Sequence, residues 1–421
     1  MIRALACALF ASVVFVAPAR AGVDLFSADT VSALVDVRAG ISGGEESWTR
    51  GGYGKTRMGG GGGGEDVQAN AEISEAAVSW KPRLDWTWSG VFNAQFQPGQ
   101  DHEVDLVEAY LNYKPVPTSP IRFSARAGMF WPEISMEHGD PFWGVSYGIT
   151  PSAINTWVGE EIKVVGAEAK LSAPIAGGNR LSATAGVFGD NDTSGTLLAL
   201  RGWALDDLKS AAWSTFPLPR LDAPFARIWR GQKPFTEPTR HDIDKRLGFY
   251  GRAEWQTPLP VSLNLFYYDN GGNPTKVESG QWAWDTRFWN VGASWDLDAD
   301  TRILSQVMWG QTIEGFPTPQ GVWIDVGFSS AYLLATHSFG ADRLTARVDY
   351  FRTRDRTWQF RDNNNERGWA ATASWRRDLS ENVSLISEVI HVASDRPARA
   401  YQGVDRETTS TVLQSSMRLR F

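Results

Sequence analysis

The chain of 421 residues contains a single cysteine, Cys7, and it lies within the first apolar run. Everything after it is free of thiols, which excludes disulfides and thiolate metal sites. Histidine is also scarce. His102, His138, His241, His337 and His391 stand isolated in the chain, and no G-x-S-x-G elbow accompanies the serines. A Ser-His hydrolase therefore has no local signature. No apolar run after the N-terminus reaches the roughly 20 residues that a membrane-spanning helix needs. Nor is there an excess of positive charge, so nonspecific binding to nucleic acid is disfavoured.

What is present begins with MIRALACALFASVVFVAPARAG. Arg3 precedes the apolar stretch Ala4 to Val16, and Ala19-Arg20-Ala21 fits a small-x-small cleavage site. Residues 1–21 read as a secretory signal peptide and residues 22–30 as a short periplasmic segment. Loss of the leader removes Arg3 and Arg20, leaving 39 basic against 48 acidic residues, a net charge of −9. Glycine (41) and tryptophan (20) are abundant. An exported, aromatic-rich chain that is polar on average is either a soluble periplasmic domain or a barrel whose apolar face is hidden in alternation.

Alternation decides between them. From Leu84 to Phe96, Leu84, Trp86, Trp88, Phe92, Ala94 and Phe96 share one face, with Asp85, Thr87, Ser89, Asn93 and Gln95 on the other. The same period-two pattern recurs in Ile121–Phe130, Leu181–Val187, Leu247–Trp255, Leu344–Tyr350, Trp369–Arg376 and Leu413–Phe421. Soluble strands run about five or six residues, whereas a tilted membrane strand needs about ten.

Sixteen such segments begin near Val31, Val67, Leu84, Val104, Ile121, Ile162, Leu181, Leu247, Val261, Phe288, Thr301, Val326, Leu344, Gly368, Val383 and Thr409. Short connections alternate with mostly longer polar ones, the longest near 43–66, 131–160, 189–246 and 269–287. The expected fold is therefore all-β. It is a transmembrane antiparallel barrel of about 16 strands over 31–421, with short periplasmic turns and long extracellular loops. Aromatics near strand ends, such as Trp80, Tyr113, Trp255, Trp289 and Trp309, suit interfacial girdles. Near Ser74-Glu75 the phase slips by one, the mark of a bulge. Val326–His337 and Val383–Ser394 assign no face.

Several motifs yield to plainer readings. Residues 50–66, RGGYGKTRMGGGGGGED, suggest a phosphate cradle. The glycine that should stand five residues before Gly54 is Thr49, and strands flank the stretch on both sides, so a P-loop is excluded. The run Gly59–Gly64 reads as a mobile first extracellular loop, locally basic at Arg50, Lys55 and Arg57. Glu160-Glu161 reads as one lumenal and one rim acid at a loop–strand junction, not as a glycosidase pair. Asp296–Thr301 lacks the calcium-loop glycine. Trp203–Trp213 reads as a short helix packing the longest loop onto the barrel mouth.

The stretches Gly128-Met129-Phe130-Trp131-Pro132-Glu133-Ile134-Ser135-Met136-Glu137 and Thr150–Lys163 resemble the phosphate-selective porin O/P family of outer-membrane barrels. Arg201–Leu205 and the terminal Met417–Phe421 add to the resemblance. It implies a sixteen-stranded homotrimer, a loop folding inward to narrow the pore, and Phe421 as the signal read by the barrel-assembly machinery. The candidate constriction loop, 131–160, carries Glu133, Glu137, Asp140 and Glu160 and no Lys or Arg. Arg122, Arg126, Arg252, Arg347 and Arg418 lie on strands as candidate pore-lining bases. Arg220, Arg227, Arg230 and Lys233 form a basic cluster in the 189–246 loop. Arginines facing an acidic loop set up a transverse field across the pore.

The expected function is a porin in the outer membrane of a Gram-negative bacterium, in contact with lipid and lipopolysaccharide. Small hydrophilic solutes or ions, anions such as phosphate among them, would diffuse through it passively. No cofactor, metal or catalytic residue is expected. The alternative is an outer-membrane enzyme or surface-binding barrel acting through the 189–246 loop.

Overall fold

A computed structural model describes residues 22–60, 67–139, 141–220, 232–239, 241–357 and 361–421. The expected signal peptide (residues 1–21), Gly61–Gly64, Asp140, Arg227 and Arg230 lie outside the described residues. Sixteen antiparallel strands close into one barrel. They are β1 (Val31–Gly43), β2 (Gln68–Trp80), β3 (Trp88–Phe96), β4 (Val104–Tyr113), β5 (Arg122–Phe130), β6 (Val164–Ile175), β7 (Asn179–Gly189) and β8 (Gly248–Gln256). The second half is β9 (Val261–Asp269), β10 (Asp285–Asp296), β11 (Thr301–Glu314), β12 (Ile324–Phe339), β13 (Asp342–Asp355), β14 (Glu366–Asp378), β15 (Val383–Asp395) and β16 (Glu407–Arg420). Closure comes from β1, which pairs with both β2 and β16. Among the described residues, no strand of the barrel is left with an unpaired edge, as a sheet in lipid requires.

Short turns gather at one end of the barrel and long loops at the other. The observed strand starts fall within four residues of those expected from alternation. The largest offset is at Leu84, where the Asp85 carboxylate accepts the amides of Thr87 (2.6 Å) and Trp88 (2.7 Å) and turns the chain before β3. The expected slip at Ser74 is a bulge. Asp36 pairs with Glu75 and Val37 with Ile73, leaving Ser74 between them. Outward aromatics form two belts. Tyr267, Trp289 and Trp309 are neighbours in register toward the long-loop end, and Trp88 and Tyr113 pair at the short-turn end. Such girdles mark the two interfaces of a barrel's apolar band.

The two strands with no readable face become clear in the folded chain. In β12, Val326, Phe328, Tyr332 and Leu334 point inward, and in β15 Ile386, Ile390 and Val392 do. Their inner faces are apolar because they meet protein rather than water. The long-loop half of the barrel is filled by residues 131–163 and 190–220, which fold inward. The first of these carries helix α1 (Ala153–Glu161) and the second the short helix α2 (Thr196–Leu200). Two local expectations are corrected here. Glu160 and Glu161 lie on α1, not at a strand junction, and both are fully buried. Trp203–Trp213 is extended, because its amides bond to neighbouring backbone: Leu205 to the Lys55 carbonyl (2.7 Å) and Ala212 to the Leu106 carbonyl (2.9 Å).

The stretch 44–60 is closely packed, and most of the glycine run expected to be mobile, Gly61–Gly64, lies outside the described residues. A Cβ on Gly60 would lie 2.0 Å from the Gly44 carbonyl oxygen, and one on Gly59 would lie 2.2 Å from the Ser47 nitrogen. Glycine serves close backbone approach at these two positions.

Candidate functional site

The inward-folded loops meet the barrel wall in two different ways. Toward β7–β12 the contact is aromatic. Trp157 of α1 is fully buried, with its ring edge-on to Phe288 and Phe328 at 5.2 Å and to Trp203 at 6.1 Å. Phe188, Tyr250, Phe266, Tyr268 and Tyr332 extend the same cluster. Edge-on rings of this kind stabilise beyond the area they bury, and among the described residues they fill this side with buried side chains.

Polar pins set the position of α1. Ser152 caps it by accepting the Asn155 amide (3.3 Å). The Glu137 and Asp349 carboxylates accept the amides of Ser152 (2.9 Å) and Ala153 (3.1 Å), placing negative charge at the positive end of the helix. Arg347 of β13 donates to Glu137 (3.0 Å), Asp349 (2.7 Å) and the Thr150 carbonyl (2.7 Å). Glu388 of β15 accepts the Ile149 amide (2.8 Å). At the other end, Arg201 holds Glu160 through two bonds of 2.5 and 2.7 Å. Glu161 accepts the Leu197 amide of α2 (2.9 Å) and the Trp157 indole (2.7 Å). Burial pushes the Glu161 carboxyl up to about 7 despite these donors.

Lys55, the lysine of the Gly-Lys-Thr stretch, belongs to this framework. Its ammonium donates to the Arg201 carbonyl (3.3 Å) and pairs with Glu366 of β14. Burial pulls it down to about 7. It therefore ties the first loop to the 190–220 segment, and no phosphate-binding geometry surrounds it.

Toward β1–β4 the contact is ionic. Residues 205–215 run along this wall. Asp207 receives Arg38 of β1 (2.6 Å) and Arg57 (3.3 Å). Arg57 also donates to Glu72 of β2 (2.9 Å), and Lys209 donates to Glu75 (2.7 Å). Burial alone would raise the Asp207 carboxyl, but Arg38 and Arg57 hold it far below the usual carboxylate range.

Cavities lie on this side and at the short-turn end. The largest, about 1050 Å³, opens beneath the tip of the 131–163 loop. Eight Lys or Arg and five Asp or Glu line it among the described residues. A concavity of about 580 Å³ lies against β11–β16, and the second cavity inside the barrel, about 460 Å³, is lined by five basic and three acidic residues. A third, about 310 Å³, lies among Arg50, Arg57, Glu72 and Leu208 on the long-loop side.

The residues singled out from the sequence separate into three groups. Arg122, Arg126, Glu133 and Arg252 line the largest cavity, where Arg126 pairs with Glu168 (2.8 Å) and Glu133 with Lys170 (2.7 Å) and Arg252 (3.3 Å). Arg418 lines the second. Glu137, Glu160 and Arg347 are buried in the contact between loop and wall, and Arg220 and Lys233 are exposed. Sequence reasoning did not single out Arg38, Arg201, Asp207 or Lys209 as site residues, and placed Arg57 only in a locally basic loop. Their partners are distant in the chain, so no spacing revealed them.

Two further constellations complete the picture. The carboxylates of Asp192, Asp242 and Asp244 lie close enough to share a cation, but Asp192 already accepts the amides of Ile243 (2.5 Å) and Asp244 (3.0 Å). The Ser135 hydroxyl and His138 Nδ1 are 2.7 Å apart, and the imidazole stacks on Trp143.

No protein-family profile and no curated protein sequence matches the chain. Solved structures do. The anion-selective porin from Comamonas acidovorans superposes with a TM-score of 0.54 at 12% identity, over 93% of this chain and 99% of that one. The outer membrane channel DcaP of Acinetobacter baumannii gives 0.50 at 11%, over 96% and 100%. A loop-L8 deletion mutant of OmpT, an outer membrane protein of Vibrio cholerae, gives 0.50 at 10%, over 93% and 99%. The chain thus has the fold of outer-membrane porins.

Proposed function

We propose that this chain is an outer-membrane porin through which small hydrophilic anions, phosphate among them, diffuse passively. The observation that carries the reading is the charge of the lumen. Whereas the chain as a whole is acidic, its two cavities at the short-turn end are lined by more bases than acids. Sign-biased linings of this kind raise the local concentration of the opposite charge. The porin fold and the two aromatic belts support placement in the outer membrane, with the short turns periplasmic and the long loops outside. The 131–163 loop acts as the constriction. Arg122 and Arg126 line the largest cavity together with Glu133, whose carboxylate is engaged by Lys170 and Arg252, so the lining keeps an excess of positive charge. The resemblance noted above further implies a homotrimer, and a C-terminal Phe421 read by the assembly machinery.

The test is conductance of the purified protein in planar bilayers. Open channels whose reversal potential in a salt gradient favours anions are expected. Absence of channels in every salt sinks the porin reading, and cation preference sinks its anionic form.

A further inference from the structure

The cavity on the long-loop side and the second cavity at the short-turn end approach each other at residues 207–209. Leu208 lines the outer cavity, and its neighbours Asp207 and Lys209 line the inner one. One residue layer therefore separates them. That layer is held to the wall by Arg38–Asp207, Arg57–Asp207, Arg57–Glu72 and Lys209–Glu75. The bulge at Ser74 contributes directly. It leaves Glu72 and Glu75 both on the lumen side, although an odd spacing in a regular strand would put them on opposite faces. On the β7–β12 side of α1 the space is taken by the aromatic cluster, and toward β13 and β15 by the contacts of Arg347 and Glu388.

We propose that solute crosses the barrel along the β1–β3 wall, and that Arg38, Arg57, Glu72, Glu75, Asp207 and Lys209 form the charge filter that sets which ions pass. This rests on the porin reading. It places the selective layer on the 190–220 segment, where the family resemblance points to the 131–160 loop. With Asp36 and Arg418, which pair at 3.1 Å beside Arg38, the layer holds four acids and four bases. It is self-neutralised, so removing one charge tips its sign in a direction fixed in advance.

The experiment is planar-bilayer recording of the full-length purified protein and of Asp207→Asn, Glu72→Gln and Arg57→Gln. The first two are expected to raise the anion-over-cation permeability ratio by about twofold to tenfold, and Arg57→Gln to lower it by a similar factor. Glu72 is partly exposed, so Glu72→Gln retains the fold and decides the matter even where Asp207→Asn does not assemble. Conducting variants with unchanged conductance and reversal potential overturn the filter and leave the porin reading standing. Wild-type protein without channels overturns the porin reading itself.

Discussion

The inner loops press against one side of the barrel with aromatic rings and against the other with ion pairs. Around Trp157 the interior is dry and close-packed. Around Asp207 it is charged, layered and flanked by cavities. Aromatic packing on the β7–β12 side and polar pins from β13 and β15 fix where the loops sit, whereas the β1–β4 side carries the charged layer proposed as the filter.

The largest effect that separates the sides is expected from Trp157→Ala. Removing a fully buried indole costs about 3–5 kcal/mol. Hydrogen exchange at the α1 amides reads that loss, while the barrel strands keep their protection. Equal loss across β1–β4 would break the distinction. Asp207→Asn is expected to cost less, about 1–3 kcal/mol, because Arg38 keeps Asp36 and Arg57 keeps Glu72.

Acid and base should act on the two sides differently. The folded chain holds a proton on Glu161 up to about 7, whereas the unfolded chain releases it near 4.5. Stability from that carboxyl therefore falls as pH rises across this window and is flat above it. Asp207 has a depressed value, so its contribution is fully present above the ordinary carboxylate range and is lost only in strong acid. Exchange protection at Leu197 should drop between pH 5 and 7, and that drop should vanish in Glu161→Gln. The smallest effect is that of Glu72→Gln, whose partly exposed ion pair contributes less than about 1 kcal/mol. An unchanged melting temperature together with altered selectivity would sharpen the comparison most.

How much of this was legible in the sequence follows the same division. Period-two alternation reveals a strand wherever one face meets lipid and the other water or charge, and that revealed the barrel and even the slip at Ser74. It fails on β12 and β15, whose inner faces carry Phe328, Leu334, Ile386 and Ile390 because protein fills the lumen opposite them. Helix α1 was invisible for a related reason. All nine of its residues are buried, so it carries no amphipathic stripe. The ion pairs of the filter were beyond reach because Arg38 and Asp207 are 169 residues apart in the chain.

The most direct test of a wet side and a dry side uses the scarcity of cysteine. Glu72→Cys and Phe288→Cys each place a new thiol on one side of the plug, in a chain whose one native cysteine is Cys7. A charged, water-soluble thiol reagent added during bilayer recording should react with Glu72→Cys and change its current, and should leave Phe288→Cys untouched. Reaction at Phe288→Cys with none at Glu72→Cys would contradict the account.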